Sequence, residues 1–400
     1  MSLSKIVRVA ARGDGVTEDG RHVPFTAPED TLAADGSVIP GPHHQTPPCR
    51  HFPICGGCQL QHLDDASWSG FVADRVVTAL AAQGIETEVR APILSPPRTR
   101  RRATLHAERR GRQVHLGFTE ASSHRLVDMV ECHVLAPELF ALVQPLKGLL
   151  ASLLPRTGRA DVQLTRIDQG VDVQLKRVRE DGLAAAEALT GFAARHHLAR
   201  LGIDDGFGAQ PRWEPEPATI TFGSVPVPFP AGGFLQATVE GETALVGAVR
   251  AAIGEPKTVA DLFAGLGTFT FALSGAKVYA AEAARDALLA LKSAADRAQL
   301  AVFTEHRDLY RRPVTAAELS RFDAVVIDPP RAGAADQVAE IARSTVSVVA
   351  HISCNPSTFA RDAKTLCEGG YRLDWVLPVG QFRWSTHVEL AARFSRSLQG

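Results

Sequence analysis

Residues 1–42 alternate apolar and polar positions in short runs, IVRVAA, RHVPF and SVIP, separated by GDG, EDG and ADG turn signals. A period of two, broken by turn residues, predicts short strands forming a small β-barrel-like segment. After the Pro-rich joint GPHHQTPPC, Trp68, Phe71, Val72, Val76 and Leu80 recur at the spacing of a helix over 66–83. Between 90 and 220, strand-like VHLGFT and VDVQLKR mix with helical stretches such as APELFALVQPLKGLL, which predicts an α+β region. The Pro-rich passage PRWEPEPATITFGSVPVPFP separates it from the rest of the chain.

From residue 233 onward, short apolar runs alternate regularly with helical ones. TVADLF, KVYAAE, AVFTEHRD, FDAVVID and SVVAHIS read as buried strands, each followed by helix or loop. That alternation predicts a parallel sheet covered on both faces. YRLDWVLP and HVELAARF follow one another with only a loop between, which predicts one antiparallel strand at the close. The expected class is α/β: a seven-stranded Rossmann-like domain over 221–400, an α+β domain over 43–220 and the β segment over 1–42. The helix over 66–83 is free to pack on the C-terminal domain.

A chain of 400 residues exceeds one ordinary compact domain, and 45% apolar with 22% charged residues is the balance of a soluble globular protein. No apolar run reaches the roughly 20 residues of a membrane helix. The segment MSLSKIVRVAARGDG lacks a secretory h-region, so the expected compartment is the cytoplasm and the expected state a monomer. A net charge of −1 does not point to nucleic acid, but its distribution does. Over 98–112, RTRRRATLHAERRGR carries Arg98, Arg100, Arg101, Arg102, Arg109, Arg110 and Arg112 against the single acid Glu108. Such a stripe suits a phosphate backbone; a solvated strand pair is the plain alternative. Five residues separate Cys49 from Cys55 and two separate Cys55 from Cys58, with Cys132 far downstream. Four thiolates from two segments can close a zinc site or hold an iron–sulfur cluster, and spacing alone does not choose.

Gly265 and Gly267 fall in a turn between a strand and a helix, where the backbone can approach a ligand closely. Thr270 replaces the third glycine of a dinucleotide fingerprint. Glu282 ends the next strand, placed either to take both ribose hydroxyls of a nucleoside or to be an exposed strand-end acid. Asp308, after the third strand, can reach an adenine or cap a helix. Asp328-Pro-Pro-Arg331 ends the fourth strand and Cys354 the fifth, so both open on the ligand edge of the sheet. Free cysteine is usually a buried filler. Ser353, Asn355 and Pro356 give Cys354 a polar, loop-like setting that favours a functional thiol.

FLQAT, DLFAGLGTFTF, DPPRAG, HISCNPSTFARD and THVELAARF, in this order, resemble the RNA uracil-5 methyltransferase family. The resemblance implies S-adenosylmethionine as methyl donor, Cys354 as nucleophile toward C6 of uracil and Glu389 as the base that removes the C5 proton. It implies cofactor contacts from Gln236, Phe263, Gly265, Thr268, Glu282, Asp308 and Asp328. It implies that Asp328 and Arg331 border the uracil, while the arginine stripe sets Arg100, Arg101 and Arg102 toward the RNA. Thr238 stands where many members have asparagine, and Ala264 where many have cysteine. The cysteine segment resembles the [4Fe–4S] site of the branch acting on 23S rRNA, which favours iron–sulfur over zinc and rRNA over tRNA. IVRVAARGDGVTEDGRHVPF resembles the start of a TRAM domain, here shortened. Two other readings remain: a methyltransferase for an exocyclic amine, which often carries an aromatic residue where Arg331 stands, and a non-catalytic RNA-binding iron–sulfur protein on the same fold.

Overall fold

The computed structural model describes residues 3–273 and 275–396, whose strands form four sheets. Thr258–Leu262 lies inside a nine-stranded sheet, pairing in parallel with Lys277–Glu282 on one side and Ala324–Ile327 on the other. Val302–His306 and Val348–Ser353 continue the parallel run outward. The central strands are buried and apolar because helices cover both faces. Val239–Ile253 packs on one face. Pro356–Glu368, Ala335–Arg343 and Asp65–Ala81 pack on the other. The expected antiparallel strand is Glu389–Ser395, inserted between Val348–Ser353 and Arg372–Gly380. Spatial order therefore departs from chain order at the point where Glu389 enters the sheet.

The helix over Asp65–Ala81 starts at Asp64, whose side chain accepts from the Ser67 amide at 2.8 Å. Trp68, Phe71, Val72, Val76 and Leu80 are its buried face, and they join the core beneath the nine-stranded sheet. Glu88–Val89 and Ile93–Leu94 pair in parallel with Arg372–Gly380, adding to the same sheet.

The middle of the chain folds around a six-stranded sheet built from Arg102–Arg110, Gln113–Gly117, Arg159–Ile167, Gly170–Lys176, Arg200–Asp204 and Gln210–Trp213. Val143–Leu153 and Gly182–Arg195 press Leu146, Leu150, Leu189 and Phe192 onto Leu105, Val162 and Val173. The chain enters and leaves this region at adjoining points. The Ser95 and Thr238 hydroxyls share a hydrogen bond at 2.7 Å, and the Arg101 amide donates to Ala237 O at 2.9 Å. The N-terminal strands form a five-stranded sheet around Ser4–Val9. Among the described residues no helix is long and apolar enough to cross a membrane.

Candidate active site

The first strand of the parallel run ends at Leu262 and the chain turns sharply, with Phe263 at φ +63°. Gly267, at φ +93°, tolerates no side chain: a Cβ there would lie 2.6 Å from the Phe271 ring. Across the ladder Leu262 faces Ala281, so Glu282 reaches the turn directly. Its carboxylate accepts from the Gly265 amide at 2.9 Å and from the Ala284 amide at 2.6 Å. Thr270 has a job of its own. Its buried hydroxyl donates to Asp261 at 2.6 Å, while burial pushes that carboxyl up to about 7. Thr268 is half-buried in the same turn. Asp308 accepts from the Tyr310 amide at 3.0 Å, and the Tyr310 ring lies 5.6 Å from that of Phe263. Phe263, Gly265 and Thr268 thus share one turn at the strand ends, bound to Glu282 and joined to Asp308 through Tyr310.

Register brings the thiol and the carboxylate together. Ser353 pairs with Leu390, so the next residues outward, Cys354 and Glu389, face one another at the sheet edge. Burial pushes the Cys354 thiol up to about 11, with the charges of Glu389 and Asp328 adding to the shift. Burial likewise raises Glu389 to about 7, opposed by a hydrogen bond from Gln381 and by the charge of Arg102. Loss of solvent, then the charges of Glu389 and Asp261, hold the Asp328 carboxyl well above the usual carboxylate range. Three acids and a thiol crowd this edge, and at neutral pH not all can be ionised.

Sequence reasoning misses Gln381, which organises the group. Its amide nitrogen donates to Gln236 at 2.8 Å and to Glu389 at 2.9 Å, and its oxygen accepts from the Ala237 amide at 2.8 Å. Gln236 in turn approaches Asp328 at 3.5 Å. The available signal was slight: a glutamine directly after the apolar run VLPVG. Arg331 is exposed, and with Cys354, Arg100, His106, Phe118 and His387 it lines one open pocket.

Residues 231–396 match the family model for tRNA (uracil-5-)-methyltransferases. An uncharacterized RNA methyltransferase of Zymomonas mobilis is 48% identical over 396 residues, covering 98% of this chain and 100% of the relative. The 23S rRNA (uracil(1939)-C(5))-methyltransferase RlmD of Erwinia tasmaniensis is 30% identical, covering 95% and 88%. The chain belongs to the RNA uracil-5 methyltransferase family. The crystal structure of the Pyrococcus abyssi tRNA (uracil-54, C5)-methyltransferase with S-adenosyl-L-homocysteine shares the fold. It has a TM-score of 0.76 at 23% identity and covers 98% of this chain and 99% of its own. S-adenosylmethionine is the methyl donor of this family.

Four of the other cysteines meet away from the sheet edge. Cys49, Cys55, Cys58 and Cys132 line one mostly apolar pocket. Burial raises all four thiols, Cys58 to about 12. Among the described residues, no group of three or more His, Cys, Asp or Glu side chains is drawn together as a bound metal ion would hold it. Arg100, Gly57 and Phe118 line both this pocket and the one holding Cys354.

The arginine stripe divides. Arg101 is buried, pairs with Glu242 and donates to Gln236 O at 3.0 Å, so it pins the junction and faces no open surface. Arg102 lies 4.3 Å above the ring of Phe234, which is 62% exposed. Arg109 is bound to the Leu154 carbonyl and Arg110 to Glu108, whereas Arg98 and Arg112 are exposed.

Proposed function

We propose that the protein methylates C5 of a uridine in 23S rRNA through a covalent bond between Cys354 and C6 of the base. The observation that carries this reading is the facing pair of Cys354 and Glu389, with Asp328 beside them. C5 of uracil is too weak a nucleophile to take a methyl group unaided. When Cys354 adds to C6, its thiol proton leaves to solvent through the open pocket and the C5–C6 π electrons move onto C5 and O4. Bound S-adenosylmethionine supplies an electrophilic methyl group at this point. C5 then carries both a methyl group and its original proton. Glu389, poised near neutrality, takes that proton; the electron pair reforms the C5–C6 double bond and expels the Cys354 thiolate. Gln381 orients the Glu389 carboxylate for the transfer and links it to Gln236 and Asp328.

In this reading Phe263, Gly265, Thr268, Glu282 and Asp308 hold the nucleoside end of the cofactor, with Gln236 and Asp328 toward the methyl group. Asp328 and Arg331 border the uracil. Arg102, stacked on Phe234, and Arg100 face the RNA; Arg101 serves the junction instead. Cys49, Cys55, Cys58 and Cys132 would hold a [4Fe–4S] cluster, or less favourably a zinc ion. Four thiols on one apolar pocket fit either group, because binding removes the protons that burial otherwise retains. Arg100 gives the resulting negative charge a counter-ion.

The preference for 23S rRNA rests on the cysteines and on similarity to RlmD along nearly the whole chain. A tRNA substrate has the name of the matched family model in its favour. Mapping 5-methyluridine in rRNA and tRNA from cells with and without the gene separates the two. Loss of a single 23S site supports the proposal; a loss confined to tRNA overturns the substrate, and no loss in either RNA overturns the activity.

A further inference from the structure

Three loops that the reaction must coordinate meet at one side chain, Tyr310. Its ring packs against Phe263 in the cofactor turn, with centroids 5.6 Å apart. Its backbone amide is bound to Asp308, and its hydroxyl donates to the carbonyl of Gly333 at 3.0 Å. Gly333 closes the turn that begins at Pro330 and carries Arg331, its own amide donating to Pro330 O at 2.8 Å. That turn is fastened in its turn to the thiol loop. Asn355, next to Cys354, donates from its side-chain nitrogen to Arg331 O at 3.2 Å, and Thr358 donates to the same carbonyl at 3.4 Å. A continuous chain of contacts therefore runs from Asp308 through Tyr310, Gly333 and Arg331 to the residue beside the nucleophile.

We infer that Tyr310 is a positioning residue through which occupancy of the cofactor crevice is communicated to the uridine-facing loop. The inference rests on the assignment of Asp308 and Phe263 to the cofactor. A packing role does not require the hydroxyl: Tyr310 is 47% exposed, and its ring alone would cover Phe263. The hydroxyl ties Tyr310, and through its ring Phe263, to the loop of Arg331, beside the backbone bond from the Asp328 amide to Leu262 O. It stays protonated at neutral pH, because loss of solvent and the nearby acids raise it further above its ordinary value. A ligand that fixes Phe263 and Asp308 fixes the Tyr310 ring and, through the hydroxyl, the carbonyl of Gly333. The loop bearing Arg331 is then held in one arrangement before RNA arrives, and less ordering is left for RNA binding to accomplish. By linkage, bound RNA must tighten the cofactor crevice by the same factor.

The test uses the full chain, S-adenosylhomocysteine, and 23S rRNA isolated from cells lacking the gene. RNA affinity is measured with and without saturating S-adenosylhomocysteine, and affinity for the latter is measured with and without RNA. The native protein is expected to show at least about fivefold coupling, the lower end of ordinary allosteric factors. Tyr310→Phe keeps the ring, so its affinity for S-adenosylhomocysteine alone should stay within about twofold of native while the coupling falls below about twofold. Coupling retained in Tyr310→Phe overturns the proposal, as does the absence of coupling in the native protein. Asp308→Ala, assayed by calorimetry without RNA, keeps the premise separate. Native affinity in that variant overturns the cofactor assignment and the latch with it. Weakened affinity there, with coupling intact in Tyr310→Phe, overturns the latch alone.

Discussion

The two thiol environments of this molecule share one shift and differ in everything around it. Cys354 and Cys58 both sit well above the ordinary thiol range, at about 11 and about 12, and in both the first cause is burial. Cys354 stands at a sheet edge beside Glu389 and Asp328, in a pocket lined by arginines, histidine and aromatic rings and open to a large substrate. Cys58 stands among three other thiols in a small, mostly apolar pocket. A raised thiol pKa keeps most of the thiol protonated at neutral pH and slows departure of the thiolate, so a nucleophile held there depends on neighbouring acid–base groups. His51, Glu131, His133 and Arg100 also line the pocket of Cys58, and a bound metal would remove the thiol protons that burial retains. The neighbouring groups, more than burial, tell the two environments apart.

The sharpest way to break the comparison is to remove the nucleophile. Cys354→Ala should lower methyl transfer at least about a thousandfold while leaving S-adenosylhomocysteine affinity within about twofold, since the thiol acts on the base. Near-native single-turnover rates would end the covalent mechanism. Glu389→Gln should reduce turnover by roughly a hundredfold or more, the scale of general-base catalysis, while still permitting addition and methyl transfer. The expected species is an RNA–protein adduct, stable in a denaturing gel and labelled from the cofactor's methyl group, and absent from the Cys354→Ala, Glu389→Gln double variant. Release of methylated RNA at the native rate would return Glu389 to a structural role.

On the other side of the comparison, Cys58→Ser should lose the bound metal. Anaerobic native protein is expected to contain about four irons and matching sulfide per chain, and the variant less than one. One zinc per native chain without sulfide would decide for the zinc alternative. A smaller effect concerns stability. Glu389 titrates near 7 when folded against 4.5 ordinarily, so between those values the folded chain binds more protons than the unfolded one. Its burial therefore costs stability progressively as pH rises through that window. Glu389→Gln should gain on the order of 3 kcal/mol over the native chain at pH 8 and nothing at pH 4. A difference independent of pH in denaturant titrations would show that the carboxyl is not held neutral. The smallest effect is electrostatic: neutralising Arg98, Arg110 and Arg112 should flatten the slope of log affinity against log salt by roughly 0.7–0.9 for each that meets a phosphate. An unchanged slope would leave these arginines merely solvated.

Much of this could be read from the chain alone. The alternating strands and helices after residue 233 gave the α/β class, because a strand buried on both faces is apolar throughout and its turns carry glycine. Cys354 stood out through its polar neighbours, and the face of the helix over Asp65–Ala81 through its spacing. What escaped depends on contacts distant in sequence. Glu88–Val89 and Ile93–Leu94 join a sheet whose partner strand, Arg372–Gly380, comes nearly three hundred residues later, and two residues make no periodicity. Gln381 is ordinary until Gln236, Glu389 and Ala237 converge on it. Arg101 reads like its neighbours in the stripe, and only the fold turns it inward to Glu242.

The adjoining hydrogen bonds of Ser95 with Thr238 and Arg101 with Ala237 make the central region a cassette, spliced into the catalytic body by two strands of chain that lie side by side. Such an insertion can be lengthened, trimmed or exchanged without moving the sheet edge where the chemistry occurs. Cys132 belongs to the cassette, whereas Cys49, Cys55 and Cys58 precede it in the body. The thiol pocket therefore spans the splice beside the paired strands, since Arg100, next to Arg101, lines it. A group held jointly by these four cysteines would tie the cassette to the body at a second set of residues, beside the paired strands.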